Sequence, residues 1–355
     1  MKNKKICIVT MGNIYLVPYL QTYTNKINSP ISIIYWDRAN LNETDDKNTL
    51  YRFQHGFKSK VEKVQGYLKY RSFVKKILSE QNYDIVIFLQ TLSGLLLSDF
   101  LLKKYKNKYI IDVRDYTYEH NKVIFNIEKK LLQNSAMNVV SSEGFLNFLP
   151  QKAQYEVAHN VRTWPTNRIN NIKNRNKDKE QLHIVFVGYV NYQEQHKKLL
   201  LALKNDPRFK ISFIGTRGNE LKPFCEQNGI NNVNLIDTFE SSKTLDYYED
   251  ADFVNNLYGN HTPVLDYALS NKLYYAASLN IPILVCADTF MEDISKRHHF
   301  GITVDLQTKD NLGDYLFNSY KQIDWNKLEA GCNNFMQLVD KQQNQFENKL
   351  INLLN

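Results

Sequence analysis

The stretch SNKLYYAASLNIPILV, residues 270–285, places a helix and a buried strand in immediate succession. Ser270 is a typical helix-capping residue, and Asn280 and Pro282 are typical helix-stop signals. The apolar, β-branched run at residues 283–285 is typical of a strand. Because helices and parallel strands alternate in α/β folds, the stretch predicts one helix–strand unit of an α/β domain.

The same alternation runs through both halves of the chain. The predicted strands are residues 5–10, 31–36, 84–90, 108–113, 137–142 and 155–160, then 182–188, 210–215, 232–237, 252–258, 281–286 and 301–305. The predicted helices are residues 15–27, 61–80, 93–105 and 120–134, then 194–204, 217–228, 243–249, 265–279, 289–298 and 309–321. Alternation of this kind indicates parallel sheets covered on both faces, and therefore two Rossmann-like domains.

The length of 355 residues also favours two domains. Residues 163–181 are polar and charged and have no period, which is typical of a connection between domains. We predict an N-terminal domain at 1–165, a linker at 166–181, a C-terminal domain at 182–335 and a terminal helix at 336–355. Two such domains are expected to face each other across a cleft that holds the ligand.

The composition excludes several classes of protein. With 43% hydrophobic and 23% charged residues, the chain is expected to fold. No segment approaches the roughly 18 uninterrupted apolar residues that cross a bilayer, and the short apolar run near the N-terminus predicts a strand rather than a signal peptide. The four cysteines are far apart, which indicates neither a metal site nor a disulfide framework and favours the cytoplasm.

The net charge of +8 is concentrated in one segment. Residues 58–76 contain seven lysines and arginines against one acid. The apolar residues that recur there at helical spacing are Val61, Val64, Leu68, Val74, Ile77 and Leu78. The pattern indicates either a basic amphipathic helix that lies on anionic lipid headgroups or an ordinary solvated helix face. A nucleic-acid binder is not favoured, because no binding module is recognisable.

Three loops of the second half lie where strand ends meet helix starts, on the ligand side of an open α/β sheet. Glycines allow the backbone to approach a ligand, an arginine fork suits a phosphate, and a helix N-terminus offers free N–H groups and about half a positive charge. By itself Lys272 would be an ordinary surface lysine, but the three loops together predict a diphosphate site. The residues are Gly188, Tyr189, Asn191 and Lys197; Gly215 and Arg217; and Ser270, Asn271 and Lys272.

Residues 270–285 resemble the donor-binding helix of the GT-B glycosyltransferases, in particular those that build bacterial capsular polysaccharides and exopolysaccharides. FVGYVN at 186–191 is similar to the first strand and phosphate loop of their C-terminal domain, and residues 211–237 are similar to its next two strands. The tail after Trp325 resembles the helix that crosses back to their N-terminal domain. The resemblance covers nearly the whole chain and implies the GT-B fold.

The resemblance also implies an activity, the transfer of a hexosyl unit from a nucleotide diphosphate sugar, a UDP-sugar, to a glycan on a polyprenyl diphosphate lipid. It implies a cytoplasmic protein, peripheral on the inner face of the cell membrane, whose partners are the donor, the lipid-linked acceptor and the anionic membrane surface. No cofactor is expected. Although Asp250 and Asp252 form a D-x-D pair, they lie where a helix meets a strand, which favours a metal-free site. The oligomeric state is left open.

Several positions depart from the pattern of this family. Tyr275 stands where retaining members have a glutamate that holds the ribose, so Tyr274 and Tyr275 are predicted to contact the donor instead, or Asp266 substitutes. Tyr189 stands where an arginine is usual. The family also has a lysine further along this loop, and Glu194, His196 and Lys197 are all candidates for its position. Retention or inversion is therefore left open. An alternative is a catalytically degenerate subunit that serves as scaffold or chaperone for a partner transferase; an NAD-linked enzyme is weaker, because neither half contains G-x-G-x-x-G.

The resemblance assigns the acceptor and any general base to the N-terminal domain. Gly12 and Asn13 follow the first strand and, with Arg114, are predicted acceptor contacts. DVRDYTYEH, residues 112–120, crowds acidic and basic side chains at a strand end, and Asp115 is the first candidate for the base, with His120 second. An internal ion pair between Arg114 and Asp115 is the alternative.

Overall fold

The computed structural model describes residues 4–27, 29–162, 164–174, 176–307 and 311–354. The chain forms two compact units, one comprising Met1–Asn160 with Lys341–Asn355 and the other comprising Val161–Asp340. The division differs from the predicted boundaries, because residues 161–181 belong to the second unit and the last helix is divided between the two. No helix in the described ranges is long and apolar enough to cross a membrane.

Seven parallel strands form the sheet in the described part of the first unit, in the order β3-β2-β1-β4-β5-β6-β7. They are β1 (Ile6–Thr10), β2 (Ser32–Asp37), β3 (Thr49–Gln54), β4 (Ile85–Leu89), β5 (Tyr109–Val113), β6 (Met137–Val140) and β7 (Tyr155–Val157). The apolar strands β1, β4 and β5 are buried along their whole length, as expected for a parallel sheet with helices on both faces. Their carboxyl ends lie at one edge of the sheet, which the loops after β1, β2 and β5 cover.

The helices of the first unit are α1 (Leu20–Thr24), α2 (Lys60–Gln81), α3 (Thr91–Leu95), α4 (Ser98–Lys104) and α5 (Lys122–Gln133). The start of α2 is fixed by a reciprocal cap. Ser59 Oγ accepts the N–H of Glu62 at 3.2 Å, and the Glu62 carboxylate accepts the N–H of Lys58 at 2.6 Å. The first bond satisfies an N–H group that the first turn of a helix leaves without a partner, and the second ties the preceding residue to that turn.

The apolar residues of α2 do not form the single face that the sequence predicts. Tyr70 and Val74 are fully buried, and Gly66 approaches Trp36 so closely that a Cβ would lie 2.9 Å from its ring. Gly66, Tyr70 and Val74 therefore define the buried face of the helix. Because successive helical residues are rotated by about 100°, the apolar residues of the first turns point away from that face. Their exposed fractions are 67% for Val61, 57% for Val64 and 59% for Leu68, whereas Ile77 and Leu78 are buried.

Six parallel strands form the sheet in the described part of the second unit, in the order β10-β9-β8-β11-β12-β13. They are β8 (Leu182–Val187), β9 (Phe209–Ile214), β10 (Val233–Ile236), β11 (Phe253–Asn256), β12 (Ile283–Cys286) and β13 (Gly301–Val304). The helices are α6 (Thr166–Lys173), α7 (Gln193–Ala202), α8 (Lys222–Gln227), α9 (Pro263–Tyr267), α10 (Asn271–Leu279), α11 (Phe290–Arg297) and α12 (Leu312–Lys321). As predicted, residues 270–285 supply a helix, α10, and a buried strand, β12.

One strand and one α-helix of the described chain lie where no element is predicted. β3 is an edge strand of half-buried and exposed residues, so it lacks the apolar run by which a strand is recognised. The predicted linker contains α6, which buries Ile172 and is tied to the second unit by Arg168, whose guanidinium lies 2.6 Å from Asp246 and 2.5 Å from Glu249. Contacts distant in sequence, rather than a local pattern, hold both elements in place.

The last helix, α13 (Trp325–Leu354), contributes to the cores of both units. Phe335 and Val339 pack in an apolar cluster of the second unit. Phe346 and Leu350 pack in the core of the first unit beside residues of β1 and β4. The helix that was predicted to return to the first unit is therefore present. It spans the whole tail from Trp325 in which the sequence resembles that helix, and so it begins before the boundary set at residue 336.

Candidate functional site

Two glycine loops run side by side at the carboxyl edge of the second sheet. Gly188 directly follows β8 and Gly215 directly follows β9. The N–H of Gly188 donates to the carbonyl of Ile214 at 2.8 Å, and the N–H of Val190 donates to the carbonyl of Thr216 at 3.0 Å. The predicted neighbourhood of the first and second loops is thus present in the structure.

The backbone conformation requires a glycine at both positions, and the close approach of the loops also requires one at Gly215. Gly188 has φ of 135° and Gly215 has φ of 136°, a region that other residues rarely adopt. A Cβ on Gly215 would lie 1.9 Å from the Gly188 carbonyl oxygen. A Cβ on Gly188 would lie 3.4 Å from Lys272 Nζ. The amino group of Lys272, which belongs to the third loop, is therefore in contact with the first loop.

Lys272 lies in the first turn of α10, and its side chain is buried. Ser270 caps the helix as predicted, its Oγ accepting the N–H of Lys272 at 3.2 Å. Lys272 Nζ donates to the Tyr258 hydroxyl at 2.6 Å and lies 4.0 Å from the centre of the Phe186 ring. In the ranges that the structure describes, no carboxylate forms an ion pair with Lys272, of which 4% is exposed. The described part of the chain thus holds a buried lysine that has aromatic neighbours and no acidic partner.

Burial dominates the electrostatics of this corner. It lowers the pKa of Lys272 to about 7, because the charged form loses its hydration. Burial, followed by the charge of Lys272, lowers the pKa of His196 to about 3, against the opposing effect of the Asn191 backbone. His196 is fully buried beside Phe186 and is therefore neutral. An anion placed here would favour the charged form of Lys272, since an opposite charge raises the pKa of an ammonium.

Arg217 joins the second loop to the first. Its backbone is left-handed, with φ of 73°, and its guanidinium lies 5.7 Å from the Tyr189 ring and 3.5 Å from Asn191 Oδ1. The fork is paired with the Glu220 carboxylate through two bonds of 2.9 Å, and that pairing raises the pKa of Arg217 above its ordinary value. Arg217 is thus at the predicted place, with an exposed acid as its partner.

Three predicted donor contacts have other surroundings. Tyr274 is 1% exposed and stacks on Phe335 in the core, because its position in α10 faces inward. The ring of Tyr275 packs against Trp164, with centroids 5.5 Å apart. Lys197 pairs with Glu194 at 2.7 Å, on an exposed face of α7. Tyr274 is therefore a core residue, and neither Tyr275 nor Lys197 is brought beside Lys272 by a contact in the described part of the chain.

Two residues of the site are absent from the predicted set. Tyr258 binds the Lys272 ammonium, and its position just after β11 follows the same strand-end rule that singled out the three loops. Phe186 lies under the ammonium, but it is one of several apolar residues of a buried strand. The sequence carries a signal for Tyr258 and none for Phe186.

In the first unit, the loop after β1 is already occupied by a carboxylate of the chain itself. Glu43 accepts the N–H of Ile14 at 3.0 Å and of Tyr15 at 2.8 Å. Asn13 is 1% exposed, and its Nδ2 donates to Asp37 at 2.7 Å and to Glu43 at 3.0 Å. Asn13 is thus a structural residue rather than a free acceptor contact, while a Cβ on Gly12 in the same loop would meet no atom within 4 Å.

Arg114 is also a structural residue. Its guanidinium lies 2.6 Å from Asp112, and the Tyr23 hydroxyl donates to the same carboxylate at 2.7 Å. The side chain is 8% exposed and lies 4.4 Å from the centre of the Tyr19 ring. The ion pair considered from the sequence therefore forms with Asp112 in place of Asp115, because Asp112 lies within the buried strand β5 and needs a counter-charge.

The two candidate bases are at the expected edge of the first sheet, in the loop after β5. Asp115 is exposed as a residue, but nearby protein atoms partly desolvate its carboxyl group. This desolvation raises the pKa of the carboxyl, and the charge of Arg114 opposes the rise. The His120 ring stacks on Tyr116 with centroids 6.1 Å apart. Their assignment as general bases stays a prediction.

The D-x-D pair lies at the opposite end of β11 from Tyr258. Asp252 is fully buried and lies 2.9 Å from the Lys179 ammonium, and Asp250 lies 3.1 Å from the His183 ring. Within the described ranges, no group of three or more His, Cys, Asp or Glu side chains is placed to hold a metal ion. Both aspartates have cationic or histidine partners of the chain itself.

Comparison with known proteins shows the fold. No family model and no curated protein matches the chain. Sucrose-phosphate synthase from Thermosynechococcus elongatus is similar over 97% of both chains, with a TM-score of 0.71 and 12% identity. HepE from Anabaena in complex with UDP has a TM-score of 0.66 and 13% identity over 96% of this chain and 98% of its own. WaaG, a glycosyltransferase involved in lipopolysaccharide biosynthesis, has a TM-score of 0.62 and 11% identity over 94% and 95%.

These likenesses extend over almost the whole length of each chain. They confirm the predicted GT-B fold, with two parallel sheets flanked by helices. At 11–13% identity they show the fold alone, because one fold supports many activities.

Proposed function

We propose that this chain is a glycosyltransferase that moves a hexosyl unit from a UDP-sugar to a lipid-linked glycan in the synthesis of a cell-surface polysaccharide. The observation that carries the proposal is the buried ammonium of Lys272, which has no acidic partner in the described part of the chain and lies beside two glycine loops. Burying a cation is costly unless an anion pairs with it. Structural neighbours that bind UDP, such as HepE, support a nucleotide diphosphate as that anion.

The transfer requires stabilisation of a leaving diphosphate. The bond between the anomeric carbon and the diphosphate oxygen breaks, a bond from the acceptor oxygen to that carbon forms, and the acceptor hydroxyl loses its proton to a base. Lys272, the N-terminus of α10 and Arg217 would bind the charge that develops on the diphosphate, without a metal ion. Each preorganised donor of this kind contributes roughly 3 kcal/mol of transition-state stabilisation.

Donor binding provides the first test. We expect isothermal titration to show UDP binding, and Lys272→Met to weaken it by roughly 10- to 100-fold, because a charge-assisted hydrogen bond is lost. Lys222→Met is the matched control, since that lysine belongs to the same unit and is 67% exposed. Wild-type protein that does not bind UDP would contradict the proposal and favour the alternative of a degenerate scaffold. That alternative is motivated by Tyr275, which stands where a ribose-binding glutamate is usual.

The proposed base is Asp115, with His120 as the second candidate. Asp115→Asn is expected to lower turnover by roughly 100-fold or more while leaving the affinity for UDP unchanged, because a general base acts in the chemical step. His120→Gln is the comparison variant. If both variants retain full turnover with a sugar acceptor, the base lies elsewhere or the acceptor proton is lost without one.

A lipid-linked acceptor is supported by exposed apolar side chains on the first unit. Tyr15, Leu16 and Leu41 are 60%, 61% and 56% exposed in the loops after β1 and β2, and the Glu43 carboxylate ties these loops together. The start of α2 exposes further apolar side chains among its lysines. Apolar groups together with basic ones suit a surface that meets anionic lipid, so we propose a peripheral association with the cytoplasmic face of the membrane.

A further inference from the structure

A pocket of about 190 Å³ lies in the second unit beside the Lys272 corner. It is located at the carboxyl ends of β11 and β12, and the segment that leads into α10 forms one of its walls. Tyr258 and Ser270 line it, and these are the residues that contact the side chain and the backbone N–H of Lys272. A group attached to a diphosphate at Lys272 is therefore within reach of the pocket.

Most of the pocket wall is apolar. The side chains of Val264, Leu265 and Leu269 come from α9 and the following segment, and Met291 comes from the start of α11. Such a wall gains free energy by covering a methyl group and gains nothing from covering a hydroxyl group. The pocket is thus suited to an apolar substituent rather than to a ring hydroxyl.

One polar group in the wall lacks a partner. Asn256, the last residue of β11, is 5% exposed, and its Oδ1 has no hydrogen-bond partner in the described part of the chain. A buried carbonyl oxygen without a donor is costly, and such groups are normally paired with protein, water or ligand. Asn256 lines the pocket, so rotation of its side chain would turn this acceptor towards an N–H or O–H donor beside the apolar wall.

We infer that this pocket receives the acetamido group of the donor sugar, so that the donor is a 2-acetamido-2-deoxyhexosyl nucleotide. The acetamido N–H donates to Asn256 Oδ1, and its methyl group packs against Leu265 and Met291. A plain hydroxyl would leave the apolar wall facing a polar group, and a methyl group alone would leave Asn256 unpaired. The inference rests on the proposed function, since it names the sugar class of that site.

The experiment compares donors that differ in this one group. Isothermal titration is carried out with UDP, UDP-N-acetylglucosamine, UDP-N-acetylgalactosamine, UDP-glucose and UDP-galactose. At least one acetylated donor is expected to bind roughly 10- to 100-fold more tightly than its plain counterpart, the range over which one methyl-sized group in an apolar pocket discriminates substrates. Equal affinities within both pairs would overturn the inference and leave the proposed function standing.

Two pocket variants and one control sharpen the test. Leu265→Phe fills the apolar wall, and Asn256→Leu removes the acceptor; each is expected to abolish the preference for the acetylated donor while UDP alone still binds. Leu201→Phe is the control, because Leu201 lies in α7 and is 47% exposed. If Leu265→Phe binds UDP and keeps the full preference, the pocket is not the acetamido site. Failure of UDP itself to bind wild-type protein overturns the proposed function and this inference together.

Discussion

At the scale of single residues, Lys272 determines how the site responds to pH. Its pKa of about 7 is well below the ordinary value of 10.5 because the side chain is buried. Above neutral pH the free protein increasingly holds a neutral amine, which does not attract a diphosphate. We therefore expect the affinity for UDP to fall by up to about tenfold per pH unit between about pH 7.5 and 9.5.

Titrations of UDP across this range measure the effect directly. The comparison variant is Lys272→Arg, in which the charge does not titrate, so that the slope should flatten even if the affinity is lower throughout. A wild-type affinity that is independent of pH would show that Lys272 stays charged without a ligand.

Glu128 is a second residue whose protonation matters, this time for stability. It is 1% exposed in α5, and burial, followed by the charge of Glu119, raises its pKa from 4.5 to about 8. The stability that its neutral form contributes is fully present below about pH 4.5 and is lost as the pH rises through 8. Glu128→Gln is neutral at every pH, so it should be more stable than wild type at about pH 9 by roughly 2–5 kcal/mol.

Chemical denaturation at two pH values tests this prediction. At about pH 4 the variant and wild type should have the same free energy of unfolding within roughly 1 kcal/mol, because both side chains are then neutral. An equal difference at both pH values would mean that the substitution acts through packing rather than through the proton.

The candidate site shows what the sequence reveals about single residues. Gly188, Gly215, Ser270 and Lys272 were found from local signals, because the glycines follow strand ends, Ser270 caps a helix and Lys272 lies in the first turn of that helix. Tyr274 was misplaced because the sequence does not fix the rotation of α10 about its axis within one residue. The structural role of Asn13 was missed because its side chain donates to Glu43, which lies 30 residues further along the chain, and no local pattern indicates that contact.

At the scale of elements, α2 presents two chemically different ends. Its second half packs on the sheet, and its first turns expose three apolar residues among lysines. We expect the triple substitution of Val61, Val64 and Leu68 by serine to reduce flotation of the protein with anionic vesicles, because the apolar contribution to lipid binding is lost. Its free energy of unfolding should change by no more than about 0.5 kcal/mol per site, since the side chains are exposed.

The control for this experiment is Leu201→Ser, an exposed leucine of the second unit. Zwitterionic vesicles separate the apolar contribution from the charge contribution, because lysines are attracted by anionic lipid alone. Wild-type protein that does not float with anionic vesicles would contradict a membrane role for α2 and leave donor binding untouched.

The elements themselves could be predicted in large part. Every predicted strand is present, and at nearly every strand end the observed bound lies within two residues of the predicted one. The agreement arises because buried parallel strands consist of uninterrupted apolar runs. β3 and α6 could not be predicted, since one is a half-buried edge strand containing Arg52 and the other buries only Ile172 among its described residues. Pairing with β2 and ion pairs with Asp246 and Glu249 hold them, and those partners become neighbours only in the folded chain.

At the scale of the whole molecule, α13 supplies core residues to both units. Leu350 is fully buried in the core of the first unit, and Val339, on the same helix, is buried in the second. Leu350→Ala is expected to destabilise the first unit by about 2–5 kcal/mol, because a cavity replaces the side chain. Amide hydrogen exchange should then show reduced protection in β1 and β4 and a smaller change in β8 to β12.

Val339→Ala is the reciprocal variant and should reduce protection mainly in the second unit. If both variants reduce protection equally throughout the chain, the two units unfold as a single cooperative body and not as separate ones.

The position of α13 has a consequence for synthesis on the ribosome. Phe346, Leu350 and Leu354 complete a core whose other residues lie in the first 160 positions, yet they are translated after the entire second unit. At roughly 5–20 residues per second, the nascent first unit waits on the order of 10 seconds or more with that apolar surface uncovered. During this interval the uncovered apolar surface is accessible to chaperones, and the first unit cannot complete its core before Leu354 has been translated.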